Sequence, residues 1–127
     1  MTREVYRTDD APAPVASYSQ ACGRGDVLAV AGQVGVDPTG ALVDGGVAEQ
    51  SEQAIRNLEA VLRAAGATLN DVIRMDCYLT SFDDFAAFNE VYASYFPNDK
   101  PTRATVEANL MGAGALVEIM VTACMPG

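Results

Sequence analysis

Two charged residues occupy surroundings that ordinarily exclude charge. Glu118 lies within Leu116-Val117-Glu118-Ile119-Met120-Val121, an otherwise apolar run that reads as a buried strand. A carboxylate there must be hydrogen-bonded, paired or set beside a pocket, because desolvating it alone is costly. Arg103 opens the preceding strand, Arg103 to Asn109, directly after Lys100-Pro101-Thr102. If these strands form a hairpin around the Gly112 to Gly114 bend, Glu118 falls opposite the Arg103 to Glu107 stretch, and guanidinium and carboxylate come close together. Such a pair suits either of two tasks. One is an ion pair that supports the fold. The other is a site that grips a small carboxylate and moves a proton. The planar fork of Arg matches carboxylate geometry bidentately, and a partly buried Glu can hold and pass a proton because burial favours its neutral form.

The rest of the composition narrows the chemistry. The chain has 127 residues and no His, which removes Ser-His-Asp and Cys-His machinery, His-ligated metals and a His acid/base pair. Cys22, Cys77 and Cys124 are far apart, with neither a CxxC nor metal-ligand spacing, so no metal site is expected. An odd number of cysteines beside ample core material reads as reduced thiols in a cytoplasmic protein, packed as small core or interface fillers. Eight Lys and Arg against 17 Asp and Glu leave a net charge of −9, which weighs against nucleic-acid or anionic-membrane partners. Met1-Thr2-Arg3-Glu4 leads into no apolar run of the signal-peptide kind. The nearly uncharged stretch from Asn109 to Gly127 is broken by Gly112, Gly114 and Glu118 and is no membrane span. Half the residues are hydrophobic, enough for one domain over 1–127 with a core of its own.

The elements that must carry Arg103 and Glu118 follow from periodicity. Tyr18 to Cys22 and Val27 to Gln33, separated by Gly23-Arg24-Gly25-Asp26, read as a hairpin. Its second run, Val27 to Ala31, is continuously apolar, as in a strand covered on both faces. Asp37-Pro38-Thr39-Gly40 has type I turn chemistry. From Val47 to Ala65 the period is helical: Val47, Ala54, Ile55, Leu58, Val61, Leu62 and Ala65 form one stripe, and Gly66 ends it. Val72 to Thr80 alternates, with Ile73, Met75, Cys77 and Leu79 on the apolar side. Ser81 caps a second helix, whose Phe82, Phe85, Phe88, Tyr92, Tyr95 and Phe96 read as core, and Pro97 closes it. Arg103 to Asn109 and Ala115 to Cys124 complete a β-β-α-β-α-β-β order, with an extra strand at Glu4 to Arg7. The fold class is α/β (α+β): a sandwich of one mixed β-sheet with two helices packed on one face. The uncovered face and the apolar last strands point to burial against neighbouring subunits.

In order along the chain stand Ala11-Pro12, Ser17-Tyr18-Ser19-Gln20-Ala21, Ala31-Gly32-Gln33, the Gln53 to Gly66 helix with Asn57-Leu58, and Asp84-Phe85 to Asn89-Tyr92-Phe96. Pro101-Thr102-Arg103-Ala104-Thr105-Val106-Glu107 follows, with Glu118 fifteen positions beyond Arg103. Together and in register, from Ala11 to Ala123, these segments resemble the reactive intermediate deaminase (Rid) family, also called YjgF-like or L-PSP.

That resemblance implies a chorismate-mutase-like fold and a homotrimer with three intersubunit clefts. It also implies cofactor-free hydrolysis of 2-imino and enamine acids, such as 2-aminoacrylate and its imine tautomer 2-iminopropanoate, to 2-keto acids and ammonia. By position, Arg103 would bind the substrate carboxylate, helped by the Thr105 backbone N–H, and Glu118 would hold the attacking water and relay protons. Tyr18, Gly32 and Asn89 would line or shape the cleft. An imine carbon is already electrophilic, so positioning plus one proton relay can suffice without His or metal. Thr105 stands where many members have Cys, and Met111-Gly112 where many have Leu-Pro. The alternatives are a non-catalytic trimer that binds small carboxylates and a ribonuclease or translation-inhibitor activity, the latter opposed by the net charge.

Overall fold

The computed structural model describes residues 2–127. Its alternating and helical stretches become β1 (Glu4–Tyr6), β2 (Ala21–Arg24), β3 (Val27–Gln33), α1 (Val47–Ala64), β4 (Val72–Leu79), α2 (Phe85–Tyr95), β5 (Thr102–Glu107) and β6 (Val117–Cys124). The strands form one sheet in the spatial order β1-β2-β3-β6-β4-β5. Only β4 and β5 are parallel; every other neighbouring pair is antiparallel. A parallel pair needs a long crossover, and α2 supplies it between β4 and β5.

The expected hairpin between the last two strands does not form. β6 inserts between β3 and β4, and β4 separates it from β5. Burial accounts for the choice. Val117, Ile119, Val121 and Ala123 of β6 are at most 1% exposed, whereas no residue of β5 is fully buried. The most apolar strand takes the centre of the sheet and the more polar one takes the edge.

The core lies between one face of this sheet and the helices. Leu28, Val30, Met75, Cys77, Leu79 and the inward side of β6 meet Ala54, Ile55, Leu58, Val61 and Leu62 of α1, with Phe88, Tyr92 and Phe96 beside them. The α1 stripe is where the sequence puts it. The helix ends in a Schellman closure: Gly66, at φ +87°, donates its N–H to Arg63 O, and Ala67 donates to Leu62 O. The Asp37–Gly40 turn also forms, with Gly40 N–H on Asp37 O at 2.9 Å.

Four local expectations change. β2 begins at Ala21, which leaves Tyr18 on the loop before it. In β3, Val27 is 53% exposed and Ala29 is exposed as well, so this strand is covered on one face. Ile73 falls on a register shift between Val72 and Arg74 and turns outward, with Val72 taking the buried place. Ser81 caps a short 3-10 turn, Phe82–Asp84, ahead of α2, and Phe82 and Phe85 lie outside the core. Among the described residues no helix is long and apolar enough to cross a membrane.

Candidate active site

The residues singled out in the sequence gather into two separate groups, one on each side of the sheet. Arg103 pairs in register with Met75, so its side chain leaves the sheet on the helix-covered face. There α2 receives it. Phe85, Phe88, Asn89 and Tyr92 follow at i, i+3, i+4 and i+7 and share one side of the helix. The Arg103 guanidinium donates through Nη1 to Asn89 Oδ1 at 2.7 Å. Its central carbon stands 4.6 Å from the Tyr92 ring centre, 5.5 Å from that of Phe85 and 5.7 Å from that of Phe88. The ion pairs among the described residues are Arg7–Asp9, Arg56–Glu52 and Arg74–Asp76. Arg103 belongs to none of them.

Thr105 lies two residues along the same strand, beside Cys77. Its hydroxyl is buried without a hydrogen-bond partner among the described residues, as is that of Tyr92. Its backbone is placed differently. Ala108 donates its N–H to Leu79 O on β4 at 2.9 Å. Alternation back along β5 turns the N–H groups of Arg103 and Thr105 away from β4, toward the free edge of the sheet. Burial pushes the Cys77 thiol up to about 12, with Asp76 adding and Arg103 opposing. Burial also pushes the Tyr92 phenol up to about 12, with Cys77 adding and Arg103 opposing. Both groups next to the guanidinium are therefore neutral at physiological pH.

Glu118 pairs with Tyr78 and projects from the opposite, helix-free face. Its side chain crosses Gly32 of β3 so closely that a Cβ at Gly32 would come within 2.9 Å of Glu118 Cδ. Glycine is required there to let the carboxylate lie flat against the neighbouring strand. Gly32 also borders a groove of about 290 Å3 that includes Pro12, Tyr18, Gln20, Val36 and Gly112. Tyr18 is half-exposed in this groove and its hydroxyl accepts the Val15 N–H at 3.4 Å. Met111, at the Met-Gly bend, is fully exposed. Tyr18, Gly32 and Glu118 thus make one group; Arg103, Asn89 and Thr105 make the other. The single chain does not bring the two together, and the ion pair that spacing alone allowed is absent.

Three buried amides that the sequence reading left without a role hold the loops of this groove. Gln20 donates to Thr8 O and Pro12 O at 3.0 and 2.9 Å. Asn57 donates to Val34 O and Val36 O at 3.2 and 2.8 Å. Gln50 donates to Gly114 O at 3.0 Å and accepts the Leu116 N–H at 2.8 Å. The available signal was polarity at core spacing, since Gln50 and Asn57 fall on the apolar stripe with Ala54 and Val61. Among the described residues no cluster of Cys, Asp and Glu is arranged to hold a metal ion.

The model of the family described as endoribonuclease L-PSP matches residues 8–125. The chain belongs to this family. It is 46% identical over 118 residues to a RutC family protein of Pyrococcus horikoshii, covering 92% of this chain and 94% of that protein. It is 41% identical over 118 residues to the 2-iminobutanoate/2-iminopropanoate deaminase of Mus musculus, covering 92% and 87%. Among solved structures, RidA from the Antarctic bacterium Psychrobacter sp. superposes with a TM-score of 0.91 at 38% identity, covering 96% of this chain and 99% of that one. E. coli TdcF with bound serine gives a TM-score of 0.91 at 28% identity, covering 97% and 99%. The α+β fold expected from the sequence is thus the fold of this L-PSP and Rid family.

Proposed function

We propose that the protein hydrolyses 2-imino acids and their enamine tautomers, of the 2-aminoacrylate/2-iminopropanoate type, to 2-keto acids and ammonia. The observation that carries this reading is Arg103: a guanidinium held by an amide and three aromatic rings, with no carboxylate among the described residues on it. Such a group suits the carboxylate of a small acid. Relatives at 41%, 40% and 36% identity carry the name 2-iminobutanoate/2-iminopropanoate deaminase, and the serine in TdcF is a small carboxylate ligand of a relative.

In this reading Arg103 fixes the substrate carboxylate and the Thr105 N–H at the free edge of β5 assists it. Asn89 orients the guanidinium. An enamine first takes a proton at its terminal carbon and gives one up from nitrogen to become the imine. Glu118 then holds a water against the imine carbon and takes its proton as the C–O bond forms. That proton passes to nitrogen to give the carbinolamine; its hydroxyl proton then moves by way of Glu118 to the same nitrogen, the C–N bond breaks, and ammonia leaves as C=O forms. Water and imine become keto acid and ammonia with no redox change and no cofactor. Tyr18 and Gly32 shape the wall beside Glu118.

Because the two groups occupy opposite faces of one sheet, the site is completed between copies of the chain, the Arg103 group of one facing the Glu118 group of the next. A homotrimer with three such clefts meets this need. Exposed Val27, Ile73, Val106 and Met120 supply apolar surface for the contacts.

The test is ammonia release, above the spontaneous rate, from imino acids generated in place by an amino-acid oxidase. Arg103→Ala should lower kcat/KM by about 100-fold or more while leaving the oligomer intact. Full activity in that variant overturns the carboxylate clamp. Glu118→Gln should keep 2-keto acid binding and lose turnover; undiminished function in it would favour a carboxylate-binding role without catalysis.

A further inference from the structure

We propose that the aromatic side of α2, with Tyr92 as its principal member, is a positioning device that holds Arg103 in place for an incoming carboxylate without neutralising its charge. The proposal rests on the reading of Arg103 as a carboxylate clamp and adds what keeps that clamp ready.

An arginine can be fixed in a fold in two ways. A carboxylate fixes it strongly but also satisfies its charge, so a ligand carboxylate must then compete with that partner. With 17 Asp and Glu in the chain, such partners are plentiful. Here the groups on the guanidinium are an amide and the rings of Tyr92, Phe85 and Phe88. Ring faces attract a cation through their quadrupole and contribute no formal negative charge. Asn89 occupies one N–H of Nη1 and sets the rotation of the fork. The rings then limit its tilt, and the remaining N–H groups stay available as a bidentate donor.

The rings are themselves held. Phe88 is completely buried and Tyr92 is 4% exposed. Their centres are 5.7 Å apart, and Tyr92 continues to Phe96 at 5.0 Å. The stack thus runs from the guanidinium into the core, and Tyr92, the ring nearest the cation, stands between the two. Its hydroxyl is buried without a partner among the described residues. The ring therefore carries the role and the oxygen is dispensable, a division that a pair of substitutions separates.

Tyr92→Phe keeps the ring and removes the oxygen; Tyr92→Leu removes the ring. Two measurements are made on each: KM and kcat for oxidase-generated imino acids, and the shift of the Arg103 Nε–H proton in 15N-labelled protein, assigned by its loss in Arg103→Lys. In the parent protein that proton should lie upfield of an exposed arginine because of the ring currents. Tyr92→Phe should keep the upfield shift and a KM within about twofold of the parent. Tyr92→Leu should lose most of the shift and raise KM about 5- to 30-fold, with kcat changed less than about threefold. If Tyr92→Leu does not fold, Phe85→Leu, at a partly exposed ring, should change both readouts in the same direction. A ring-deleted, folded variant with unaltered Arg103 shift and KM overturns the proposal. Absence of turnover in the parent protein alongside a ring-dependent Arg103 shift would overturn the deaminase reading and leave the positioning role standing.

Discussion

Arg103 and Glu118 leave the sheet on opposite faces, and β4 lies between their strands. No rotamer change can bring two side chains together through a hydrogen-bonded strand. Any chemistry that uses both must take one from each of two chains. This predicts complementation. Arg103→Ala and Glu118→Gln should each be inactive alone, yet mixed oligomers formed by co-expression should regain activity. Random mixing gives about a quarter of the interfaces a native Arg103 facing a native Glu118. A chain carrying both substitutions, mixed with either single variant, should regain none. Failure of the mixed oligomers to recover would place both residues in separate tasks.

Gly32→Ala tests the Glu118 side of the cleft. The added methyl would press on Glu118 Cδ and Cγ at 2.9 and 3.0 Å. Those atoms belong to the end of a flexible side chain, so the carboxylate would swing aside while the fold survives. We expect kcat to fall by about 10-fold or more, with KM and the melting temperature nearly unchanged because the Arg103 group is untouched. Steady-state kinetics and a thermal melt check this, and unchanged kcat would remove Glu118 from the reaction.

What the sequence made legible divides along the line between local and non-local information. The α1 stripe, its Gly66 stop and the Asp37–Gly40 turn depend on neighbours within a few residues, and they form as the spacing indicates. Strand order does not depend on such neighbours. Nothing in the short connection from Glu107 to Val117 says that β6 will pass β5 and lie between β3 and β4. The hairpin reading follows from proximity in sequence, and with it fell the expected closeness of Arg103 and Glu118. The aromatic residues of α2 were readable as a helical stripe, but their role was split. Phe88, Tyr92 and Phe96 enter the core, whereas Phe85 stays at its margin against Arg103. Only the parallel pairing of β4 and β5 sets the guanidinium under that helix. The site residues, Arg103 and Glu118 singled out by their surroundings and Tyr18, Gly32, Asn89 and Thr105 by family resemblance, fall into two coherent groups once the faces of the sheet are known.

Gln50 offers a stability test of the groove's rim. It is 2% exposed and makes two hydrogen bonds to the Gly114–Leu116 backbone. Gln50→Leu would preserve much of the volume while stranding the Leu116 N–H and the Gly114 carbonyl. The expected loss is about 1–3 kcal/mol, read as a lower urea midpoint with an unchanged m-value. The bend carrying Met111 and Gly112 should loosen at the same time, seen as faster amide exchange at Leu116. Wild-type exchange there would mean that the amide does not hold the bend.

The raised thiol and phenols predict loss of stability on the alkaline side. Cys77 titrates near 9.0 when unperturbed and at about 12 in the fold, mainly because burial disfavours the thiolate. Tyr92 rises from 10.0 to about 12, mainly by burial, and Tyr95 from 10.0 to about 12 by burial and its hydrogen bond to Glu52. Between the unfolded and folded values the unfolded chain releases protons that the folded chain retains. Stability contributed by these groups is therefore complete below about pH 9 and falls as pH rises toward 12, for Cys77 by at most about 1.4 kcal/mol per pH unit. Urea unfolding at pH 8, 9.5 and 10.5 should show this decline, and Cys77→Ala should make it shallower between pH 9 and 10. Iodoacetamide at pH 8 should meanwhile leave buried Cys77 unmodified until the protein unfolds. A slope identical in the parent and Cys77→Ala, or ready labelling of Cys77 in the folded protein, would show that the thiol beside Arg103 is open to solvent and that the neutral surroundings of the guanidinium are not maintained.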